Sequence, residues 1–416
     1  MLWLFCILSI AFILLSKKIT SKWLNLVSIF NIIWIIIILL YQLRLSYLQA
    51  ELENQTYWLF IASSSAFSIS YFISYLLSNK QVHNSRVINK IIGRSTIIHL
   101  FLVWATVELI EIIYSGGIPI IWAITGNSKG YFDFGIPSVH GFMNALGLTI
   151  IISSYYLYIK KKQKTGKKDK ILIGLIIFIL IYYFFLITRQ VIISAIIELI
   201  TIRLCTMNFK QISKKTMARV ATLLLSIGFV GIFSFGLIGN LRTGYEGFQR
   251  VAMMKNQSNE IFVGFDWVYM YLTMTIANIN NLVSMPIQDY GMYPLAKTYL
   301  PTIVANTISS NTTVELPNYL VTKAFNVSGY FVHAYIGFKT LGVIAMGVIY
   351  GLFSSLISIK FARNKNEKNT LYFAIMAQIV ILSFFYNHLL YLPSGFQLAL
   401  VYLITKYSKN EDHNYE

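Results

Sequence analysis

Few side chains in this sequence can do acid–base or anion chemistry, because charged residues fill only 12% of 416 positions. Arginine suits a phosphate: it stays protonated and forks onto two oxygens at once. Arg189 stands between the apolar blocks Ile171–Ile187 and Val191–Leu204, where a charge is costly unless it faces protein or water. A functional role and a headgroup-seeking interfacial anchor are both open for it. Arg242 and Arg250 share a face if their stretch is helical; the alternative is a solvated pair balanced by Glu246. Arg44 has Glu51 and Glu53 beside it and is set aside. To take a proton from a hydroxyl the candidates are His140, His333 and Asp133, with His388, Glu246 and Asp266 behind them. Each histidine also reads as a hydrogen-bonded structural residue. Glu108 and Glu111 fall on one helix face. They read first as a structural pairing, with binding to Arg189, acceptor positioning and proton relay as alternatives. Cys6 and Cys205 sit in apolar stretches and have neither a disulfide framework nor metal-ligand spacing.

These groups hang on a chain that fits no soluble class. Hydrophobic residues make up 56% and mean hydropathy is +0.63, whereas a soluble domain carries about 25% charge. The sequence therefore predicts an all-α polytopic membrane protein of about 11 transmembrane helices, each taking roughly 20 apolar residues. The candidates are Leu2–Leu15, Leu24–Tyr41, Tyr57–Leu77, Thr96–Tyr114, Gly141–Ile159, Ile171–Ile187, Val191–Leu204, Val220–Ile238, Leu341–Ile359, Leu371–Tyr386 and Leu389–Ile404. The first resembles a signal-peptide core, but its basic residues Lys17 and Lys18 follow it and no cleavage site is apparent, so it reads as a span. Most of the 34 lysines and arginines fall in alternate connections, such as the run from Lys160 to Lys170. That bias makes the rich side cytoplasmic, with the N-terminus outside and the C-terminus inside. The net charge of +18 is then a topogenic signal with some attraction to anionic membrane lipid, and nucleic acid is excluded as a partner. The organisation expected is 1–238 for helices 1–8, with a Gly/Pro-containing outer loop at 115–140. A large extracytoplasmic loop at 239–340, helices 9–11 at 341–405 and a cytoplasmic tail at 406–416 complete it.

The cytoplasmic connections are short and hold no Gly-rich phosphate loop, so no ATP-driven engine is present. Chemistry is expected on the outer face, where a connection of around a hundred residues is uncommon unless functional. Within it, Phe262–Ala277 reads as an amphipathic helix lying at the membrane interface, with packing down into the bundle as the alternative. Trp267, Tyr269 and Tyr271 offer faces for sugar. The two tyrosines point to different sides of a helix, so one would stack on sugar while the other packs; plain interfacial aromatics are the alternative. The segment Ser115–His140 is too broken by Gly and Pro to cross and is suited to dip partway in against protein. A site on this face without nucleotide needs a substrate that arrives activated, and lipid-linked diphosphate sugars meet that need.

Ser115-Gly116-Gly117-Ile118-Pro119, with Tyr131-Phe132-Asp133-Phe134-Gly135-Ile136-Pro137-Ser138-Val139-His140-Gly141, resembles the first outer loop of bacterial oligosaccharide repeat-unit polymerases, the O-antigen polymerase or Wzy type. Thr188-Arg189-Gln190 and Gly239-Asn240-Leu241-Arg242 are similar to that family as well, as is the layout of the whole chain. The resemblance implies an enzyme of the bacterial cytoplasmic membrane. It would transfer a growing glycan from one undecaprenyl-diphosphate carrier onto the non-reducing end of a second carrier-linked oligosaccharide, and release undecaprenyl diphosphate. It implies no cofactor and no metal, in keeping with outer segments that hold neither Asp-x-Asp nor an adjacent acidic pair. A chain-length regulator and a flippase of the same pathway are the implied partners. Arg189, Arg242 and Arg250 would bind diphosphate; His140, which ends the most specific motif, leads as base.

Two other functions compete. A polysaccharide ligase shares topology and mechanism and is poorly separated by sequence. A lipid-linked oligosaccharide flippase or other secondary transporter would more often show inverted repeats. The chain has no such symmetry, and its long outer connection has no counterpart in the first half.

Overall fold

A computed structural model describes residues 1–79, 90–127, 129–207, 243–256, 258–300, 315–406 and 409–410, with scattered positions between 222 and 240 and at 304, 305 and 307. Fourteen labelled α-helices build it: α1 Leu2–Thr20, α2 Leu26–Gln42, α3 Asn54–Asn79, α4 Arg94–Ser115, α5 Pro119–Thr125, α6 Val139–Thr165, α7 Lys170–Phe185 and α8 Arg189–Thr206. They continue as α9 Tyr245–Ala252, α10 Val263–Ser284, α11 Tyr293–Tyr299, α12 Val332–Arg363, α13 Glu367–Ile381 and α14 Leu392–Lys406. The only β-ladder among the described residues joins Lys90–Ile91 to Lys409–Asn410.

Local chemistry sets the ends. Asn25 caps α2 by accepting from the Ser28 N–H, and Asn366 caps α13 by accepting from Asn369. Asp169 caps α7 through the Ile171 and Leu172 N–H groups and also takes Lys161 at 3.0 Å and Arg94 at 3.7 Å. Burial works against the Asp169 charge, but the Lys161 hydrogen bond, the Leu172 N–H and Arg94 together hold its carboxyl below the usual range.

Every apolar segment read from the sequence coincides with a helix; in Val220–Ile238 eight of the nineteen residues lie outside the described ones, and those described are helical. Among the described residues five helical stretches are long and apolar enough to cross a membrane: Leu2–Thr20, Asn54–Ser78, Arg94–Thr125, Val139–Thr165 and Val332–Arg363. Others fall short of that measure. At 15 residues each, α13 and α14 run about 22 Å against a hydrocarbon core of about 30 Å. Length and apolarity thus support five of the eleven crossings expected.

The helices divide into a periphery and a centre. On α1 and α4 large apolar side chains such as Trp3, Ile7, Leu109 and Ile113 stand exposed, whereas α6 is buried along most of its length, including Asn144, Thr149 and Ser154. Helix α3 packs along α12 on a seam of small residues. A Cβ on Gly347 would stand 2.8 Å from that of Ala66, and one on Gly351 would lie 2.3 Å from the Phe67 carbonyl oxygen. Such small-xxx-small spacing lets backbones approach where apolar burial gives no net drive. Helix α12 is broken at Phe338 and Lys339, whose backbone leaves the helical region.

Of the two placements open to Phe262–Ala277, the structure shows packing into the bundle. That segment belongs to the 22-residue α10, buried along most of its length and packed against α2 and α3. Its polar residues explain why. Asn280 accepts from the Glu53 N–H and from the Thr56 hydroxyl and donates to the Glu51 carbonyl. Asn278 donates to the Phe325 and Val327 carbonyls and accepts from the Val321 N–H. These groups match the unpaired backbone of neighbouring turns, which a lipid surface does not offer.

Replacing Gly351 by Leu forces α3 and α12 apart and is expected to cost about 1–3 kcal/mol. The melting midpoint in detergent should fall, while Gly174→Leu, whose added Cβ meets nothing within 4 Å, should leave it in place. Equal midpoints would mean the seam is not closed.

Candidate functional site

One half of the site is built by the end of α4. Glu108 and Glu111, one helical turn apart, are buried there. The helix stops at Gly116, whose φ of 73° is the left-handed value glycine adopts freely. The chain passes through α5 and comes back to lie on the helix it has left. The Gly135 N–H donates to the Ser115 hydroxyl at 2.9 Å, and the Ile136 N–H donates to Glu111 Oε1 at 3.2 Å. Glu111 Oε2 stands 2.7 Å from His140 Nδ1. The His140 side chain is 19% exposed and that of Glu111 is 0%. Gly135 is required here: its φ is 95°, and a Cβ would lie 2.6 Å from the imidazole Cγ. Phe134 meets the same ring edge-on. Behind them the Tyr182 hydroxyl of α7 donates to Glu108 Oε2 at 2.5 Å.

The other half surrounds Arg189. Helix α7 ends in a turn in which Ile187 takes φ 59°, a rare conformation for a β-branched residue. Both the N–H and the hydroxyl of Thr188 return to the Tyr183 carbonyl. This turn sets Arg189 as the first residue of α8, 9% exposed. Its guanidinium lies over Trp267 at 4.8 Å and over Tyr271 at 5.7 Å from the ring centroids, contacts that favour a cation out of water. Trp267 donates to Asn240 Oδ1 and packs on Phe248, while Tyr271 stacks with Phe385. From Arg189 a groove of about 560 Å³ runs between α7 and α8 toward Ile238, lined by Ile177, Ile181, Phe184, Ile192 and Ile196. Both halves meet the last turns of α7, which present Tyr182 to Glu108 and Phe184 to the groove.

The sequence candidates thus separate. Arg189, Trp267 and Tyr271 come together, with Asn240 of the quoted loop motif beside them. Tyr269 points the other way, donating to Gln49 and accepting from the Leu45 N–H. Arg250 is not gathered with Arg189: it is exposed on α9 and pairs with Glu246 at 3.3 Å. Arg242 lies outside the described residues. Asp133 is exposed and accepts from the Gly130 N–H at 2.6 Å, closing its own turn. His333 makes a 3.0 Å contact with the Tyr299 hydroxyl and meets the rings of Tyr299 and Tyr386. His388 is buried against Gln378, Glu198 accepts from Gln397, and Arg44 pairs with Glu51. Glu111 was expected to pair, with Arg189 as one possible partner; it is His140 that it meets. Tyr182, Phe248 and Phe385 carry no sequence signal that would single them out.

Glu108, Glu111 and His140 are the one set among the described residues whose ligand atoms lie close enough for a metal, all within 4.8 Å of one another. Three of the four carboxylate oxygens already hold hydrogen bonds, from Tyr182, Ile136 and His140. No family model, no curated protein and no solved structure matches the chain.

Gly135→Ala is expected to cost about 1–3 kcal/mol through its backbone, plus displacement of the imidazole. Gly126→Ala, at φ 68° with nothing near its added Cβ, isolates the backbone part. Thermal unfolding of the two variants should therefore differ, and the His140 nitrogen resonances should move only in the first.

Proposed function

We propose that this chain is a membrane glycosyltransferase that polymerises undecaprenyl-diphosphate-linked oligosaccharide repeat units on the outer face of a bacterial cytoplasmic membrane. The observation that carries the reading is Arg189, a buried guanidinium on an aromatic wall at the end of an apolar groove between helices. An anionic lipid fits that combination: the groove takes hydrocarbon and the guanidinium takes diphosphate, while the faces of Trp267 and Tyr271 expected for sugar are already covered by Arg189, Phe248 and Phe385. The sequence resemblance to Wzy-type polymerases supports the same substrate, and the alternating basic connections support eleven crossings with the N-terminus outside.

In this reading Arg189 meets the negative charge that builds on the leaving diphosphate, where a preorganised donor is worth about 3–4 kcal/mol. The sequence resemblance gives Arg242 the same role. His140 takes the proton of the acceptor hydroxyl. The reaction needs no metal, and the finished glycan is surface polysaccharide: O-antigen, capsule or exopolysaccharide. A ligase would use the same arrangement with a different acceptor. A transporter draws on one separate observation, the buried carboxyls Glu108 and Glu111 with the half-buried Tyr182 on Glu108, which is the kind of group a proton-coupled carrier uses.

Arg189→Ala should lower polymer at least a hundredfold and leave single repeat units on carrier lipid, while Arg250→Ala keeps most activity. Normal-length polymer from Arg189→Ala would defeat the reading. Depletion of the protein should leave single-unit precursor on the outer leaflet; accumulation on the inner leaflet favours the transporter. Polymerisation by purified protein should continue in the presence of a chelator. Loss restored by a divalent ion would overturn metal independence and turn attention to Glu108, Glu111 and His140.

A further inference from the structure

We propose that Glu111 is the positioning residue for His140, holding the imidazole so that Nδ1 carries the proton and Nε2 is the basic nitrogen. The inference rests on the glycosyl-transfer reading above for its reaction, and on geometry alone for its hydrogen bond.

The carboxylate is fixed before it meets the ring. It sits on α4 with no exposed side-chain surface, and its Oε1 is occupied by the Ile136 N–H. Only Oε2 is left to face Nδ1, at 2.7 Å. A carboxylate only accepts, so the proton between them is on the nitrogen. A neutral imidazole has one N–H, and placing it on Nδ1 leaves the lone pair on Nε2. The ring cannot turn away cheaply, because Gly135 backs one side and the Phe134 edge another. Its partial exposure leaves an edge for substrate to reach.

The surroundings suit a transient imidazolium. The groups on α4 that face it are Glu111 and Glu108, and α7 adds Tyr182. In the returning loop the Lys129 ammonium is turned to the Ser115 carbonyl and Asp133 to the Gly130 N–H. From α14 the neighbours of this first turn of α6 are uncharged: Pro393 near Gly141 and Phe396 against Phe142. The carboxylates of α4 are thus the charges that face the ring in this cluster.

In the reaction the acceptor oxygen attacks the anomeric carbon while its proton passes to His140 Nε2. The bond from that carbon to the diphosphate oxygen breaks, and its electron pair leaves with the diphosphate. Glu111 stays a carboxylate throughout and stabilises the imidazolium, which returns its proton to water before the next cycle. The arrangement repeats the logic by which a buried carboxylate orients a catalytic histidine in hydrolases.

The test uses full-length protein in lipid nanodiscs with nitrogen-15 histidine, the His140 signal being assigned by its loss in His140→Asn. Above the imidazole titration, wild type should show an Nδ1–H tautomer, and Glu111→Gln a mixture of both. Polymerisation by Glu111→Gln should lose about a hundredfold to ten-thousandfold in kcat, the range of general-base help, with KM changed by less than threefold. Glu111→Asp should recover part of the loss. A wild-type Nε2–H tautomer, or Glu111→Gln with unaltered kcat, overturns the proposal. Loss of both kcat and the melting midpoint without recovery by Asp also overturns it, since that is a structural role. A wild type that makes no polymer yet keeps the Nδ1–H tautomer, lost in Glu111→Gln, upholds the positioning and defeats only the polymerase reading.

Discussion

A charge or carboxyl placed in an apolar bundle has to be met by something, and the fold is organised around those meetings. Glu108 is met by Tyr182, Glu111 by Ile136 and His140, Glu198 by Gln397, and Arg189 by the faces of Trp267 and Tyr271. Each partner comes from a different helix or loop, so satisfying the charge also fixes which elements touch. Leaving such a group unmet costs several kcal/mol, more than any single aliphatic contact returns. The ionisable residues act as registration points for packing that apolar surfaces alone would leave loose.

The last turns of α7 illustrate the economy of this arrangement. Tyr182 faces α4 and Phe184 faces the groove, while the Tyr183 carbonyl receives both groups of Thr188 and so launches α8. Three consecutive aromatic residues thus serve the carboxylate cluster, the turn and the groove wall. The tyrosine hydroxyls matter because an apolar ring carries a polar end into a place where water is scarce.

Much of this was legible in the sequence. Apolar blocks gave the helices because a chain deprived of water must bond its own backbone, and Arg189 and His140 stood out as polar residues next to such blocks. Three things were not legible. The meeting of Glu111 with His140 depends on the chain reversing at Gly116 and folding back, a tertiary event with no periodic trace. Packing of α10 into the bundle stood only as an alternative because Asn278 and Asn280 look like surface residues until the turns they bond are in place. Arg250 and Arg189 have the same chemistry in a sequence, yet one is turned to Glu246 at the surface and the other lies among rings. The eight-residue spacing from Arg242 carried no information about that difference.

Beyond Arg189 the groove is walled along α7 and α8 by apolar side chains, Phe184 among isoleucines and a leucine. A wall of this kind has no directional contacts to offer, so it holds an occupant in proportion to the apolar area covered, about 0.8 kcal/mol per methylene. Any selectivity for an occupant therefore falls to the polar end, at Arg189.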